Sequence, residues 1–356
     1  MSHMFVPGPV DVAPEVLQAM AKPLLPHRSK EYEAIHRSAA EKAQALFFTD
    51  FRVLIGTHTG SGMQEAGVRN LAQKDILVCI NGAFSQRWYD VAVSNGKQPV
   101  RMDVEWGKSL NPEDLRGELK KKHFEAVAIV HNETSTGVEN PLKDLCAVVK
   151  EVSPDTMILV DAVSSMGGSK IEMDAWGVDF LLTSSQKCLA LPPGLSLVGV
   201  TDRALEKAKT VENRGWYFDL LRMEKHRIKN STAMTPAVSL VYALDFQLDR
   251  IFKEGVEARF TRHQAMSQRV YDWARENGMS PFAQEGARSK TVATINNEIN
   301  MDIPQLNAFL MEKYQMRIAN GYGDLKNKTF RIATMGETTM EDIDALLSAM
   351  EEFLKM

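Results

Sequence analysis

The sequence predicts an α/β protein with a large, mostly parallel sheet, followed by a smaller α+β domain. From residue 51 to about residue 200, short apolar runs alternate with helix-like stretches, the rhythm of βαβ units. Those runs are apolar throughout instead of alternating, as strands covered by helices on both faces must be. Beyond Pro236 the texture changes to long helical segments, and 356 residues leave room for one large and one smaller domain.

The elements follow in order. Residues 1–14, rich in Pro and Gly, are expected to be an extended arm and not an element, with Ser2-His3-Met4 reading as an expression-tag remnant. Residues 15–244 form the large domain, with strands expected at 53–55, 76–80, 127–130, 157–160, 180–182 and 197–200. Between the third and its predecessor, Asn111 can cap a helix, Pro112 suits its first turn, and Leu115 and Leu119 share a face. Right-handed crossovers join such strands.

Residues 245–356 form the small domain. Helices are predicted over 238–252 and 256–276, the second stopped by Asn277-Gly278. A strand at 291–295, a helix at 304–314 and strands at 316–319 and 330–333 come next. Thr338-Thr339-Met340-Glu341 reads as a capping box, and Ile343, Leu346, Leu347, Met350, Phe353 and Leu354 form one apolar stripe of a last helix. No linker, repeat or low-complexity tract separates the two parts.

Composition narrows the partners. With 42 Lys+Arg against 46 Asp+Glu, the net charge of -4 leaves no positive excess for a nucleic-acid backbone. Apolar runs such as 126–130 and 157–160 fall far short of the ~20 residues that span a membrane. Three cysteines make no disulfide framework and the N-terminus has no signal-peptide pattern, so the expected address is cytoplasmic. The eight histidines have no paired ligand spacing: His27, His58 and His131 read as hydrogen-bonding residues, and no metal is expected.

The chemistry concentrates on two residues. Asp161 follows the strand at 157–160 directly, which places a carboxylate at the sheet edge where α/β proteins bind ligands. Lys187 ends the next predicted strand 26 residues later, so both side chains can meet over one edge. Pyridoxal phosphate needs such a pair: a lysine for the Schiff base, and an acid that keeps the pyridine nitrogen protonated. Spacing alone fits a structural salt bridge or a solvated lysine equally well.

A third element adds an anion site. Gly56-Thr57-His58-Thr59-Gly60-Ser61-Gly62 lies between a strand and the helix-like stretch from Met63, so free N–H groups and a positive dipole end can face a phosphate. The loop is neither a dinucleotide fingerprint nor a Walker loop, and Ser61 lacks the spacing of a nucleophile elbow.

The segments Pro7-Gly8-Pro9-Val10, Pro26-His27-Arg28, Thr59-Gly60-Ser61-Gly62, Asn81-Gly82-Ala83-Phe84, Glu133-Thr134-Ser135-Thr136-Gly137-Val138, Asp161-Ala162-Val163-Ser164-Ser165, Ser185-Gln186-Lys187 and Pro192-Pro193-Gly194 appear in this order. The set closely resembles the class V aminotransferases, and within them the alanine–glyoxylate and serine–pyruvate (serine–glyoxylate) branch. The resemblance implies fold type I, a pyridoxal phosphate cofactor, and a homodimer whose subunits share each site. It implies that Lys187 carries the Schiff base and shuttles the proton, and that Asp161 pairs with the pyridinium nitrogen. Val163 and Phe84 would sandwich the ring. Thr59, Gly60, Ser61 and Gln186 would hold the phosphate, and Thr134 would bond near the phenolate oxygen. Arg331 would clamp the substrate carboxylate, with Gly8 and Pro9 bringing the arm over the substrate.

Two stretches depart from that pattern. Thr232-Ala233-Met234-Thr235-Pro236 stands where many relatives have Thr-Pro-Tyr-Thr-Pro, whose residues reach the other subunit's phosphate, so Thr232 or Thr235 is expected to do so. Ala319-Asn320-Gly321-Tyr322-Gly323 replaces a Gly-Gly-Gln-Gly type, a change that bears on substrate choice.

Cys188 adjoins Lys187, but on a strand end its side chain is expected to point away as an inert thiol. A cysteine desulfurase needs a mobile cysteine and usually a histidine on the ring, where this chain has Phe84. The cationic runs at 120–122 and 222–229 read as solvated surface, and Trp216, Tyr217 and Phe218 as site rim, core or interface. The expected activity is ping-pong transfer of an amino group from alanine or serine to glyoxylate or pyruvate. A role as accessory subunit of a larger assembly is the reading from another class.

Overall fold

The computed structural model describes residues 3–356. Its strands, numbered along the chain, are β1 (His3–Phe5), β2 (Arg52–Gly56), β3 (Asp75–Ile80), β4 (Gln98–Asp103), β5 (Ala126–Val130), β6 (Asn132–Glu133), β7 (Val138–Glu139), β8 (Met157–Asp161), β9 (Phe180–Ser184), β10 (Ser196–Val200), β11 (Val292–Asn296), β12 (Met316–Asn320) and β13 (Thr329–Ala333). Seven of them form the large sheet in the order β2-β10-β9-β8-β5-β3-β4. All run parallel except β10, which pairs antiparallel with both β2 and β9.

Alternate residues of these strands enter two separate cores. Leu77, Val127, Ile129, Ile158, Val160 and Leu181 pack against helices Lys30–Phe47, Pro112–Lys121, Leu142–Val152 and Val238–Glu254. Val78, Ala128, Leu159, Phe180 and Leu182 pack on the other face against helices Gly60–Leu71 and Ala83–Ser94. Helices cover both faces, so the central strands carry unbroken apolar runs, and each Val, Ile or Leu so buried contributes roughly 1.5–3 kcal/mol. β4 lay outside the sequence reading because it is an edge strand of mostly exposed or half-buried residues, Pro99 and Arg101 among them. The small β6–β7 hairpin was also unforeseen.

The second sheet has the order β1-β12-β13-β11 and carries its own core on helices Val256–Glu276, Ile303–Tyr314 and Met340–Leu354. Three sequence expectations change here. The arm is an element in part: β1 pairs parallel with β12, and Phe5 is buried in the small core. Residue 245 does not open the small domain. It lies within the helix Val238–Glu254, whose Val241, Leu244, Leu248 and Ile251 all pack into the large core, so the cores part at Gly255. The last helix is capped one residue later than expected, by Thr339 with Asp342, because Thr339 holds the extended cap conformation while Thr338 bonds back to Met335 O. No helix among the described residues is long and apolar enough to cross a membrane.

Candidate active site

The C-terminal ends of β5, β8 and β9 open on a cavity of about 130 Å³. Thr59, Gly60, Ser61, Phe84, Thr134, Asp161, Val163, Gln186 and Lys187 all line it, so most of the expected residues meet at one place. Asp161 is the last residue of β8. One carboxylate oxygen accepts the Val163 N–H at 2.8 Å and the other accepts Gln64 Nε2 at 2.8 Å. Burial raises its pKa to about 6, against the Val163 bond, which lowers it.

Lys187 is not on a strand. β9 ends at Ser184 and Lys187 stands in the tight turn after it, closed by Leu191 N–H to Ser185 O at 3.0 Å and Ser185 Oγ to Pro192 O at 2.7 Å. Its Nζ donates to the carbonyl of Pro7, so the N-terminal arm lies over the amine. Gly8 is required there: its φ is +91°, and a Cβ would stand 2.6 Å from Lys187 Cδ. Cys188 is likewise in the turn and not at a strand end. It remains inert for another reason: its thiol is buried, with Sγ toward Ser164 O, and burial pushes its pKa to about 12.

Burial, and then the cation of Arg331, bring the Lys187 pKa down to about 8. The neutral amine is the form that attacks a carbonyl. Capture of pyridoxal phosphate by the apo-protein should therefore speed up as pH rises through about 8 and level off above it. In Arg331→Met the midpoint should move up, because a neighbouring cation is gone. Stopped-flow absorbance across pH 6–10 checks both.

The opposite wall depends on a residue the sequence reading passed over as part of a motif. Glu133 is fully buried, and its carboxylate accepts the N–H groups of Phe84, Ser85 and Ser135 and the hydroxyls of Ser85 and Ser135. It thereby caps the helix Ala83–Ser94, whose own N-cap, Gly82, has no side chain to do so. A Cβ at Gly82 would lie 2.4 Å from Glu133 Cδ, which explains the glycine. The helix so fixed presents Phe84 and, one turn on, Arg87. Gln64, Arg87, Val130, Asn132, Ser164 and Ser184 complete the lining and were not assigned roles from sequence. Thr134 Oγ1 donates to Ser164 Oγ at 2.9 Å.

Arg331 comes from β13 in the small domain. Its Nη1 donates to Thr134 O at 3.3 Å and its Nε to Asn320 O at 3.1 Å, while the Tyr322 ring lies 5.5 Å from the guanidinium and 5.4 Å from Phe84. Burial lowers its pKa to about 10. Among the described residues it pairs with no carboxylate, which leaves a buried cation in need of an anion. Thr232 and Thr235 do not reach this cavity. They line another, with His36 and His58, and Thr232 Oγ1 donates to Met234 O at 2.6 Å. His58 and His131 hydrogen-bond Ser196 and Ser165.

A buried lysine and a buried carboxylate at the end of a parallel sheet, with an unpaired guanidinium beside them, define an enzyme of amine–carbonyl chemistry on carboxylate substrates. The chain belongs to the class-V aminotransferases: the family description Aminotransferase class-V matches residues 11–346, and the alanine–glyoxylate and serine–glyoxylate enzymes are the branch it resembles. It is 36% identical to an uncharacterized aminotransferase of Methanocaldococcus jannaschii over 99% of this chain and 92% of that one. It is 33% identical to the small subunit of a soluble hydrogenase from Synechococcus, again over 99% and 92%. The alanine–glyoxylate aminotransferase structure from Nostoc superposes with a TM-score of 0.93 at 29% identity, over 99% of this chain and 95% of that one.

Proposed function

We propose that this aminotransferase uses pyridoxal phosphate to move the amino group of alanine or serine to glyoxylate or pyruvate by a ping-pong route. The observation that carries the reading is that Lys187 and Asp161 line one cavity, while Arg331 stands beside it, hydrogen-bonded to the carbonyl of the lining residue Thr134. Its lining suits the cofactor: Gln64 Oε1 and Asn132 Oδ1 are buried without partners there, and the anion-binding helix start, the carboxylate and the aromatic ring stand around the lysine. Bound there, pyridoxal phosphate supplies a carbonyl for the amino group and a ring that accepts the electron pair left at Cα. Thr59, Gly60, Ser61 and Gln186 would hold its phosphate, Phe84 and Val163 its ring faces, Thr134 the edge at the phenolate oxygen, and Asp161 the proton on its nitrogen.

The chain's own residues do the rest. Lys187 would hold the group's carbonyl carbon, and its amine, once free, would carry the proton between the substrate Cα and that carbon. Arg331 binds the carboxylate that donors and acceptors share, which orients the Cα–H bond. Gly8 and Pro9 bring the arm over Lys187 and limit the space for solvent. We also propose a homodimer in which Thr232 or Thr235 reaches the partner subunit's phosphate; their position away from their own chain's cavity supports this. Three buried, unpaired cysteines fit a reducing compartment, and the proposed address is the cytoplasm.

The likeness to a hydrogenase subunit favours a second reading, an accessory role without catalysis. One experiment separates the two. Amino acids are added singly to the cofactor-loaded protein: conversion of the bound cofactor to its pyridoxamine form by alanine or serine supports the enzyme, and no change with any donor supports the accessory role. In the same panel Arg331→Lys, which keeps the charge and loses the two-pronged geometry, should cost every carboxylate donor about 2–3 kcal/mol in kcat/KM without reordering them. A simple amine should lose little, and equal losses would show that Arg331 acts through folding.

A further inference from the structure

We propose that Arg87 is the cation that neutralises the cofactor phosphate and makes this site select phosphorylated over unphosphorylated pyridoxal. The proposal rests on reading the cavity as a pyridoxal phosphate site. Arg87 lines that cavity, and its Nη1 donates to Ser61 Oγ at 2.9 Å. Its guanidinium carbon lies 4.8 Å from the centre of the Phe84 ring, so the side chain is held between the expected phosphate loop and the aromatic wall. Its charge lies close enough to favour ionised Asp161 and to disfavour charged Lys187. Among the described residues Arg87 forms no ion pair with a carboxylate.

The loop by itself falls short of what a phosphate needs. Gly60 N–H already donates to Ser184 Oγ at 3.1 Å, and Gly62 N–H to Thr59 Oγ1 at 3.4 Å. Of the first three N–H groups of the helix, Ser61's is left. A helix start supplies the equivalent of about half a positive charge, whereas a phosphate monoester carries about 1.5 to 2 negative ones. Lys187 is committed to the carbonyl, and Arg331 is tied to Thr134 O and Asn320 O across the cavity. The guanidinium already hydrogen-bonded to the loop is therefore the charge that remains, and its planar fork matches phosphate oxygens. With Arg87 donating to Ser61 Oγ, the Ser61 hydroxyl is free to donate its own proton to the same anion. Arg87 is thus a direct ligand of the cofactor phosphate, held in place through Glu133 and the helix Ala83–Ser94.

The test is equilibrium titration of apo-protein with pyridoxal 5′-phosphate and with pyridoxal, read by absorbance, in wild type, Arg87→Met and Arg87→Lys. Arg87→Met is expected to weaken pyridoxal 5′-phosphate by about 10- to 100-fold and pyridoxal by less than about 2-fold, and Arg87→Lys to recover part of the difference. The ratio of the two affinities cancels any loss of folded protein, so a partly unfolded variant still decides the matter. Equal weakening of both compounds would place Arg87's effect in the packing of Phe84 and overturn the proposal, as would unchanged binding of both. Failure of the wild type to bind pyridoxal 5′-phosphate at all would instead remove the reading on which the proposal rests.

Discussion

Lys187→Ala is expected to abolish transamination, by on the order of 10⁴-fold or more in kcat, while the protein folds and still binds cofactor noncovalently. The loss is large because one amine does two jobs, anchoring the cofactor carbonyl and moving the proton at Cα, and no second amine stands in the cavity lining. Folding survives because Lys187 contributes little to it. Its amine bonds only the carbonyl of Pro7, whereas Ser185 and Leu191 close the turn through bonds of their own. Removing a buried cation beside Arg331 should if anything relieve repulsion, so thermal unfolding of the apo-variant should match or exceed wild type. Borohydride reduction of the loaded wild type followed by peptide mapping should label Lys187 alone. A label on another lysine would sink the assignment.

How much of this was legible depended on whether a residue's role is local. The parallel sheet could be read because burial on both faces writes an unbroken apolar run, as in Ala126–Val130 and Met157–Asp161. β4 could not, because an edge strand needs no such run. Asp161, Lys187 and the glycine-rich turn were found because few residue types suit their chemistry and each stands at or a few residues beyond the C-terminal end of a strand. Gln64 and Glu133 have no such mark. Gln64 is an ordinary residue inside a helix until the fold brings it against a carboxylate 97 positions away, and Glu133 caps a helix 48 positions before it. The domain boundary was misplaced for a related reason: an amphipathic helix looks the same whichever core receives it, and nothing in the stretch 238–254 names the large domain as its destination.

Asp161→Asn is expected to lower kcat by about 10²- to 10³-fold and to change substrate affinity little. The variant is close to isosteric, and the cavity can absorb it. The asparagine oxygen can keep the Val163 N–H, and its new N–H₂ group meets Gln64, whose Oε1 is buried and unpartnered. Rotating the Gln64 amide turns that oxygen toward the new donor, at the cost of its 3.5 Å contact from Nε2 to Phe84 O. What disappears is the negative charge that holds a proton on the ring nitrogen and so lets the ring accept electrons. A pH measurement on the apo-protein checks the same carboxylate without any cofactor. Burial raises the folded pKa of Asp161 from 3.8 to about 6, so the folded chain binds this proton more tightly than the unfolded one. Its contribution to stability is then fully present below about pH 4 and is lost as pH rises through about 6. Denaturant melts between pH 4 and 7 should show that decline in wild type, and a shallower one in Asp161→Asn by the share this carboxyl contributes. Identical slopes would mean that Asp161 is not the buried acid that this chemistry requires.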